Sequence, residues 1–346
     1  MIRVLIVDDS VFMRTVLTDI IGRDQSMEIV GTASDGREAL EKIAELSPDV
    51  ITLDIQMPVM DGIATLEALA KRNSPSKMKI LVLSTLTSKD AELTHRALKL
   101  GADDFMLKPR NLGKVRAIGD ELITKIRHLI TIPTIGKKSH SVDKPADRVV
   151  LIGSSAGGPP MLDTLVSALD PDLNAAVVIT QHMPVGFTAA LAERLNRISP
   201  MSVKETENGD VLKSGQVYVS KGGYHTVISG MLAQDGSRGG RITHSKSPAL
   251  HAVRPAVDKT FESGAKVFGS NVLSVILSGM GSDGGEGALA VKAHGGRTIV
   301  VKEEDCLVYG MARSALERDA VDKVLPLSRI SREIGKIMKH MEGRYD

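Results

Sequence analysis

The chain has 346 residues, 42% hydrophobic and 25% charged, with no Trp, four Tyr, five Phe and one Cys. That length suits about two domains, the composition is globular rather than disordered, and a lone Cys306 excludes an intramolecular disulfide or a cysteine zinc site. Lys and Arg total 44 against 42 Asp and Glu, so a formal charge of +2 and scarce aromatics argue against a nucleic-acid partner.

The opening Met1-Ile-Arg-Val-Leu-Ile-Val-Asp-Asp turns acidic too soon for a signal peptide. No stretch approaches the roughly 20 apolar residues of a membrane span. A cytoplasmic protein without membrane insertion is expected.

Through residue 130 the pattern predicts strands at Arg3–Val7, Glu28–Ala33, Val50–Leu53, Lys79–Leu83 and Asp104–Leu107. Helical periodicity falls between and after them, at Phe12–Ile21, Arg37–Leu46, Gly62–Lys71, Asp90–Leu100 and Leu112–Ile130. Such a βα repeat with strands apolar on both faces predicts an α/β fold, a five-stranded parallel doubly wound sheet of flavodoxin-like form. Residues 131–147 lose periodicity amid Pro, Gly, Ser and Lys and read as a linker. Residues 148–346 predict a second doubly wound α/β domain. Its strands are Arg148–Ile152, Ala175–Thr180, Ser274–Leu277 and Thr298–Val301, and its helices are Pro159–Leu169, Gly186–Ile198, Glu286–His294 and Ser328–Glu342. Between Val203 and Leu250 short strand-like pieces alternate with Gly-rich turns.

Doubly wound sheets place their working groups beyond the carboxyl ends of the strands. In the first domain those ends carry Asp8 and Asp9, Asp54, Ser84, and Lys108 before Pro109. A single strand-end Asp is an ordinary turn or cap residue. Three carboxylates on one rim repel one another unless a hard cation such as Mg2+ joins them. Ser84 and Lys108 can contact an anion, and Asp54 can accept a phosphoryl group as a carboxylate nucleophile. Val7-Asp-Asp-Ser, Asp54-Ile-Gln-Met-Pro, Met60-Asp-Gly and Leu107-Lys-Pro resemble the receiver domain of two-component response regulators. The resemblance implies phosphorylation at Asp54, Mg2+ held by Asp8, Asp9 and Asp54, and phosphoryl contacts from Ser84 and Lys108. Phe105 stands where that family often has an aromatic switch residue.

The second domain opens with Val149-Val-Leu-Ile-Gly-Ser-Ser-Ala-Gly-Gly-Pro-Pro, a strand, a tight turn and a helix start. Glycines at 153, 157 and 158 fit a dinucleotide loop poorly. A serine beside free backbone N–H groups suits acyl transfer, which makes Ser154 or Ser155 the candidate nucleophile. A base and an orienting acid are then needed. His182 follows the strand expected beside the first, and Asp283 lies in a glycine-rich loop after another strand end.

Ile152-Gly-Ser-Ser-Ala-Gly-Gly-Pro, Gln181-His-Met-Pro, Phe187-Thr, Arg254-Pro-Ala-Val-Asp, Gly279-Met-Gly-Ser-Asp-Gly and Val308-Tyr-Gly-Met-Ala resemble the chemotaxis protein-glutamate methylesterase family. The resemblance implies Ser155 as nucleophile, His182 as base, Asp283 as orienting acid and the Met280 backbone as an oxyanion donor. It also implies hydrolysis of glutamate methyl esters, and deamidation of glutamines, on methyl-accepting chemotaxis receptors, with a chemotaxis histidine kinase as phosphodonor. Ala156 replaces the family's frequent Thr after the nucleophile, Pro255-Ala-Val-Asp and Tyr309-Gly-Met-Ala depart from Pro-Ser-Val-Asp and Tyr-Gly-Met-Pro, and Lys302-Glu-Glu stands for Gln-Asp-Glu. None of these touches the three expected catalytic residues.

Overall fold

Apolar runs without internal polarity become fully buried parallel strands, as Val4-Leu-Ile-Val and Val50-Ile do in the first domain. The computed structural model describes residues 1–71, 78–85, 88–108, 115–131, 144–232 and 238–342, in two units, Met1–Ile132 and Pro133–Asp346.

In the first unit β1 (Ile2–Val7), α1 (Val11–Gly22), β2 (Met27–Ala33), α2 (Gly36–Leu46), β3 (Val50–Asp54), α3 (Gly62–Lys71), β4 (Lys79–Ser84), α4 (Ser88–Lys99), β5 (Asp104–Leu107) and α5 (Val115–Thr131) alternate throughout. The sheet order is β2-β1-β3-β4-β5, all parallel, so the chain reverses its winding between β1 and β3. Short polar caps set the helix starts: Ser10 accepts from Met13 N–H at 3.3 Å, and Asp35 from Arg37 N–H at 2.8 Å. The expected start of α5 at residues 112–114 lies outside the described residues.

The second unit runs β6 (Val149–Ser154), α6 (Gly158–Ser167), β7 (Ala176–Gln181), α7 (Phe187–Ile198), β8 (Ser202–Glu205), β9 (Gln216–Val219), β10 (His225–Leu232) and β11 (Arg238–Ser245). It continues with α8 (Val257–Phe268), β12 (Val272–Ile276), α9 (Gly285–Ala293), β13 (Arg297–Val301), α10 (Gly310–Glu317), β14 (Lys323–Leu325) and α11 (Leu327–Glu342). Seven strands form one sheet in the order β14-β13-β12-β6-β7-β9-β8, and β10 and β11 pair antiparallel apart from it. The winding reverses at β6, between β12 and β7, where a ligand crevice belongs. Leu162, Leu165, Leu195 and Ile334 cover one face of the sheet, while Val257, Phe261 and Met311 pack on the other.

Two readings shift. The strand-like pieces after Val203 divide, β8 and β9 extending the parallel sheet and β10 and β11 forming a separate hairpin. Of the expected linker, 132–143 lie outside the described residues, but Pro145 bridges Lys213 and buried Ala146 donates to Leu212 C=O at 2.8 Å. The packed second unit therefore starts ahead of Arg148.

Candidate functional site

Parallel register brings the acidic rim of the first unit together. Val7 pairs with Leu53 and Ser84 with Leu107, so Asp8 and Asp54 end neighbouring strands and Lys108 lies one step past Ser84. Lys108 Nζ lies 2.7 Å from Asp8 Oδ2 and 2.6 Å from Asp54 Oδ2. Oxygens of Asp8, Asp9 and Asp54 fall within 4.8 Å of one another. These hard donors, two buried and one exposed, fit a Mg2+ ion that keeps several waters. Burial pushes the Asp54 carboxyl above its usual range against the pull of Lys108. Ser84 Oγ accepts a hydrogen bond from Thr94 Oγ1 at 2.8 Å. Phe105 is buried, with Lys125 Nζ 5.8 Å from its ring centroid.

In the second unit the same logic assembles a serine and a histidine. Ser154 pairs with Gln181 and His182 N–H donates to Ser154 C=O at 3.0 Å, so one further step sets Ser155 beside His182. On the other side Ser155 N–H donates to Ser278 C=O at 2.9 Å, which brings the loop carrying Met280 and Asp283 to the same rim. The two serines differ sharply. Ser154 is fully buried and its hydroxyl donates to Gln181 Oε1 at 2.6 Å. Ser155 is partly exposed, and its Oγ makes no hydrogen bond among the described residues.

The turn that presents Ser155 needs its glycines. Gly157 sits at φ 76°, a left-handed backbone, and a Cβ there would fall 2.7 Å from Leu307 Cβ. A Cβ on Gly279 would fall 2.9 Å from Ser155 Cβ, so the Met280 loop runs directly against Ser155. The N–H groups of Ala156, Gly157 and Met280 have no acceptor among the described residues. With the N-terminus of α6 one residue on, they form a donor cluster suited to a developing oxyanion.

His182 Nε2 lies 2.6 Å from Asp283 Oδ2, leaving Nδ1 outside that bond. Asp283 also accepts from Val257 N–H at 2.7 Å and Asp258 N–H at 2.8 Å, the first residues of α8. Burial pushes its carboxyl up, but His182 and those two N–H donors outweigh burial and hold it below the usual range. The half-buried Cys306 thiol is pushed up to about 12, chiefly by burial, and so is no rival nucleophile at neutral pH.

Sequence reasoning assigned no role to three participants. Gln181 Nε2 donates to the carbonyls of Ser155 and His182, both at 3.0 Å, clamping the two loops. Ser278 Oγ donates to Ala156 C=O at 2.7 Å and accepts from Val308 N–H at 3.0 Å. Asp258, inside the quoted Arg254-Pro-Ala-Val-Asp motif, lies beside Asp283. An open groove of about 550 Å³ runs from His182 along Pro184, Val185, Ala252, Val253 and Arg254. Among the described residues no helix is long and apolar enough to cross a membrane.

Residues 150–334 match the family described as CheB methylesterase, and residues 4–118 match the response regulator receiver domain. A curated protein-glutamate methylesterase/protein-glutamine glutaminase 1 of Methanospirillum hungatei JF-1 is 60% identical, covering 99% of this chain and all of its own length. A Thermotoga maritima protein-glutamate methylesterase/protein-glutamine glutaminase is 40% identical over 96% of this chain and 97% of its own. The crystal structure of the Thermotoga maritima CheB methylesterase catalytic domain is 40% identical, covers 55% of this chain and 98% of that one, and superposes with a TM-score of 0.52.

Proposed function

This chain belongs to the CheB methylesterase family, with a response regulator receiver domain ahead of the catalytic unit, and from that premise we propose that it hydrolyses glutamate methyl esters, and deamidates glutamines, on methyl-accepting chemotaxis receptors when its receiver is phosphorylated. The observation that carries the reading is an uncommitted Ser155 hydroxyl one register step from a His182 whose Nε2 is held by buried Asp283.

Ser155 Oγ attacks the ester carbonyl as His182 Nδ1 takes its proton. Asp283 stabilises the resulting imidazolium, and the N–H groups of Ala156, Gly157 and Met280 stabilise the oxyanion, each such donor contributing about 100- to 1,000-fold. The tetrahedral intermediate collapses, His182 returns the proton, and methanol leaves. Water, deprotonated by the same nitrogen, then releases the glutamate carboxylate and restores Ser155. On a glutamine the same sequence expels ammonia. The groove beside His182, with Val185 61% exposed at its edge, takes the receptor segment that bears the ester.

In the receiver, an Asp54 oxygen attacks the phosphorus of a phosphohistidine on the chemotaxis kinase, and the P–N bond breaks. Asp8, Asp9 and Asp54 would hold the Mg2+, which supplies neutralisation of phosphoryl charge. Lys108 stands ready to pair with the phosphoryl group, and Ser84 to donate to it.

Methanol release from methylated receptor membranes tests the reading. With Mg2+ and acetyl phosphate the native rate is expected to rise several-fold over basal. Asp54→Ala is expected to keep the basal rate and lose the stimulation, and EDTA to abolish it in native protein. Full stimulation of Asp54→Ala would overturn the receiver's role; no methanol release from native protein would overturn the hydrolysis.

A further inference from the structure

A second histidine and aspartate abut the pair the reaction uses. His251 Nε2 lies 2.8 Å from Asp258 Oδ2 and 4.0 Å from Asp283 Oδ1. Asp258 is 1% exposed, and its Oδ1 accepts from Gly284 N–H at 2.8 Å and Gly287 N–H at 2.7 Å. The two acids therefore trade helices: Asp283, just ahead of α9, holds the N-terminus of α8, while Asp258, on α8, holds that of α9.

His251 reaches Asp258 from an unfavourable backbone. His251 at φ 52° and Ala252 at φ 61° are both left-handed without being glycine, and Val253 N–H closes the turn onto Leu250 C=O at 3.0 Å. Strain of this kind persists where the surroundings over-determine it, and it collects at functional sites. Here Ala252, Val253 and Arg254 line the same groove as His182.

We propose that His251 and Asp258 are positioning residues of the hydrolysis, together setting the pH range in which His182 acts as base; the inference rests on the reaction proposed above. Asp258 is a second buried carboxyl beside Asp283; burial, with the charge of Asp283, pushes it above its usual range, and the negative charge it carries adds to that of Asp283 in the field at His182. His251 is hydrogen-bonded to the Asp258 carboxyl at 2.8 Å and acts through it. The other charged groups nearby are Arg254, Lys259 on α8 and Glu286 on α9. Arg254 donates to the carbonyls of Lys246 and Ser247, and Glu286 on α9 pairs with Arg318 at 2.7 Å. His225 on β10, whose Nδ1 accepts from Ala256 N–H at 3.2 Å, has its basicity lowered chiefly by burial.

Both substitutions then change the charge beside Asp283. Asp258→Asn keeps an oxygen for Gly284 and Gly287 but loses the charge, and the acid limb of kcat/KM is expected to move down by about half a pH unit. His251→Ala removes the 2.8 Å hydrogen bond that fixes the Asp258 carboxyl, and the limb is expected to move by about as much. The double variant is expected to follow Asp258→Asn. Profiles of methanol release from methylated receptors read these shifts, and pH-dependent labelling of Ser155 by a serine-reactive phosphonate reads them without a receptor. If His251→Ala fails to fold, His251→Asn, which tolerates the left-handed turn, replaces it. Limbs unmoved in both single variants, whatever the rate loss, would overturn the proposal. Absence of Ser155-dependent hydrolysis in native protein would overturn the underlying reaction instead.

Discussion

Ser155→Ala is expected to lower methanol release by at least about 10,000-fold while leaving the fold intact. Removing the nucleophile of such a relay disables base and acid together, because the three act as a unit. The structural cost is small, since Ser155 Oγ has no hydrogen bond among the described residues to lose and the side chain is partly exposed. The neighbouring serine supplies the control. Ser154→Ala breaks a buried 2.6 Å bond to Gln181, costing about 1–3 kcal/mol for the acceptor left unsatisfied, yet it keeps the nucleophile. Thermal melts and initial rates on the two variants separate the roles. A Ser155→Ala protein with more than about a hundredth of native activity would contradict the assignment.

Asp283→Ala is expected to lose both activity and stability. His182 would lose the acceptor at 2.6 Å that fixes its ring, and the first N–H groups of α8 would lose both their acceptors. Orientation of the base is worth about 10,000-fold in kcat where such an acid has been altered, and each buried donor left unpaired costs about 1–3 kcal/mol. The pH dependence follows from the direction of the shift. The Asp283 carboxyl lies below its usual range in the folded protein, so its ionisation stabilises the fold above the ordinary carboxylate range and that contribution fades as pH falls through it. The stability gap between native protein and Asp283→Ala is therefore expected to narrow below about pH 4. Urea midpoints across that range check it, and a constant gap would contradict the ionic part of the account.

How far the sequence could be read depended on whether a residue's signal was local. Strand ends are local, and parallel register converts them into neighbours, so Asp8 with Asp54, and Ser154 or Ser155 with His182, were legible as pairs from the sequence, while only the family resemblance singled out Ser155. Asp283 was legible as a strand-end loop acid, but its bonds to α8 were not. Val257–Phe268 carries Gly264 mid-helix, and no helix was read there. That close-packed glycine, whose Cβ would fall 2.6 Å from Leu151 Cδ1, lowers helix propensity while letting α8 lie against the sheet. Gln181 and Asp258 are buried polar side chains whose partners are distant in sequence or reached only through tertiary folding, so periodicity said nothing of them. The three-residue β14, with Val324 42% exposed, is an edge strand too short to show alternation.

The most direct test of the account is where a serine-reactive phosphonate attaches. Mass spectrometry of the peptide spanning Ser154 and Ser155 is expected to place the adduct on Ser155, with labelling lost in Ser155→Ala and His182→Ala and kept in Ser154→Ala. An adduct on Ser154, or labelling that survives in Ser155→Ala, would contradict the claim that Ser155, His182 and Asp283 form one nucleophilic relay.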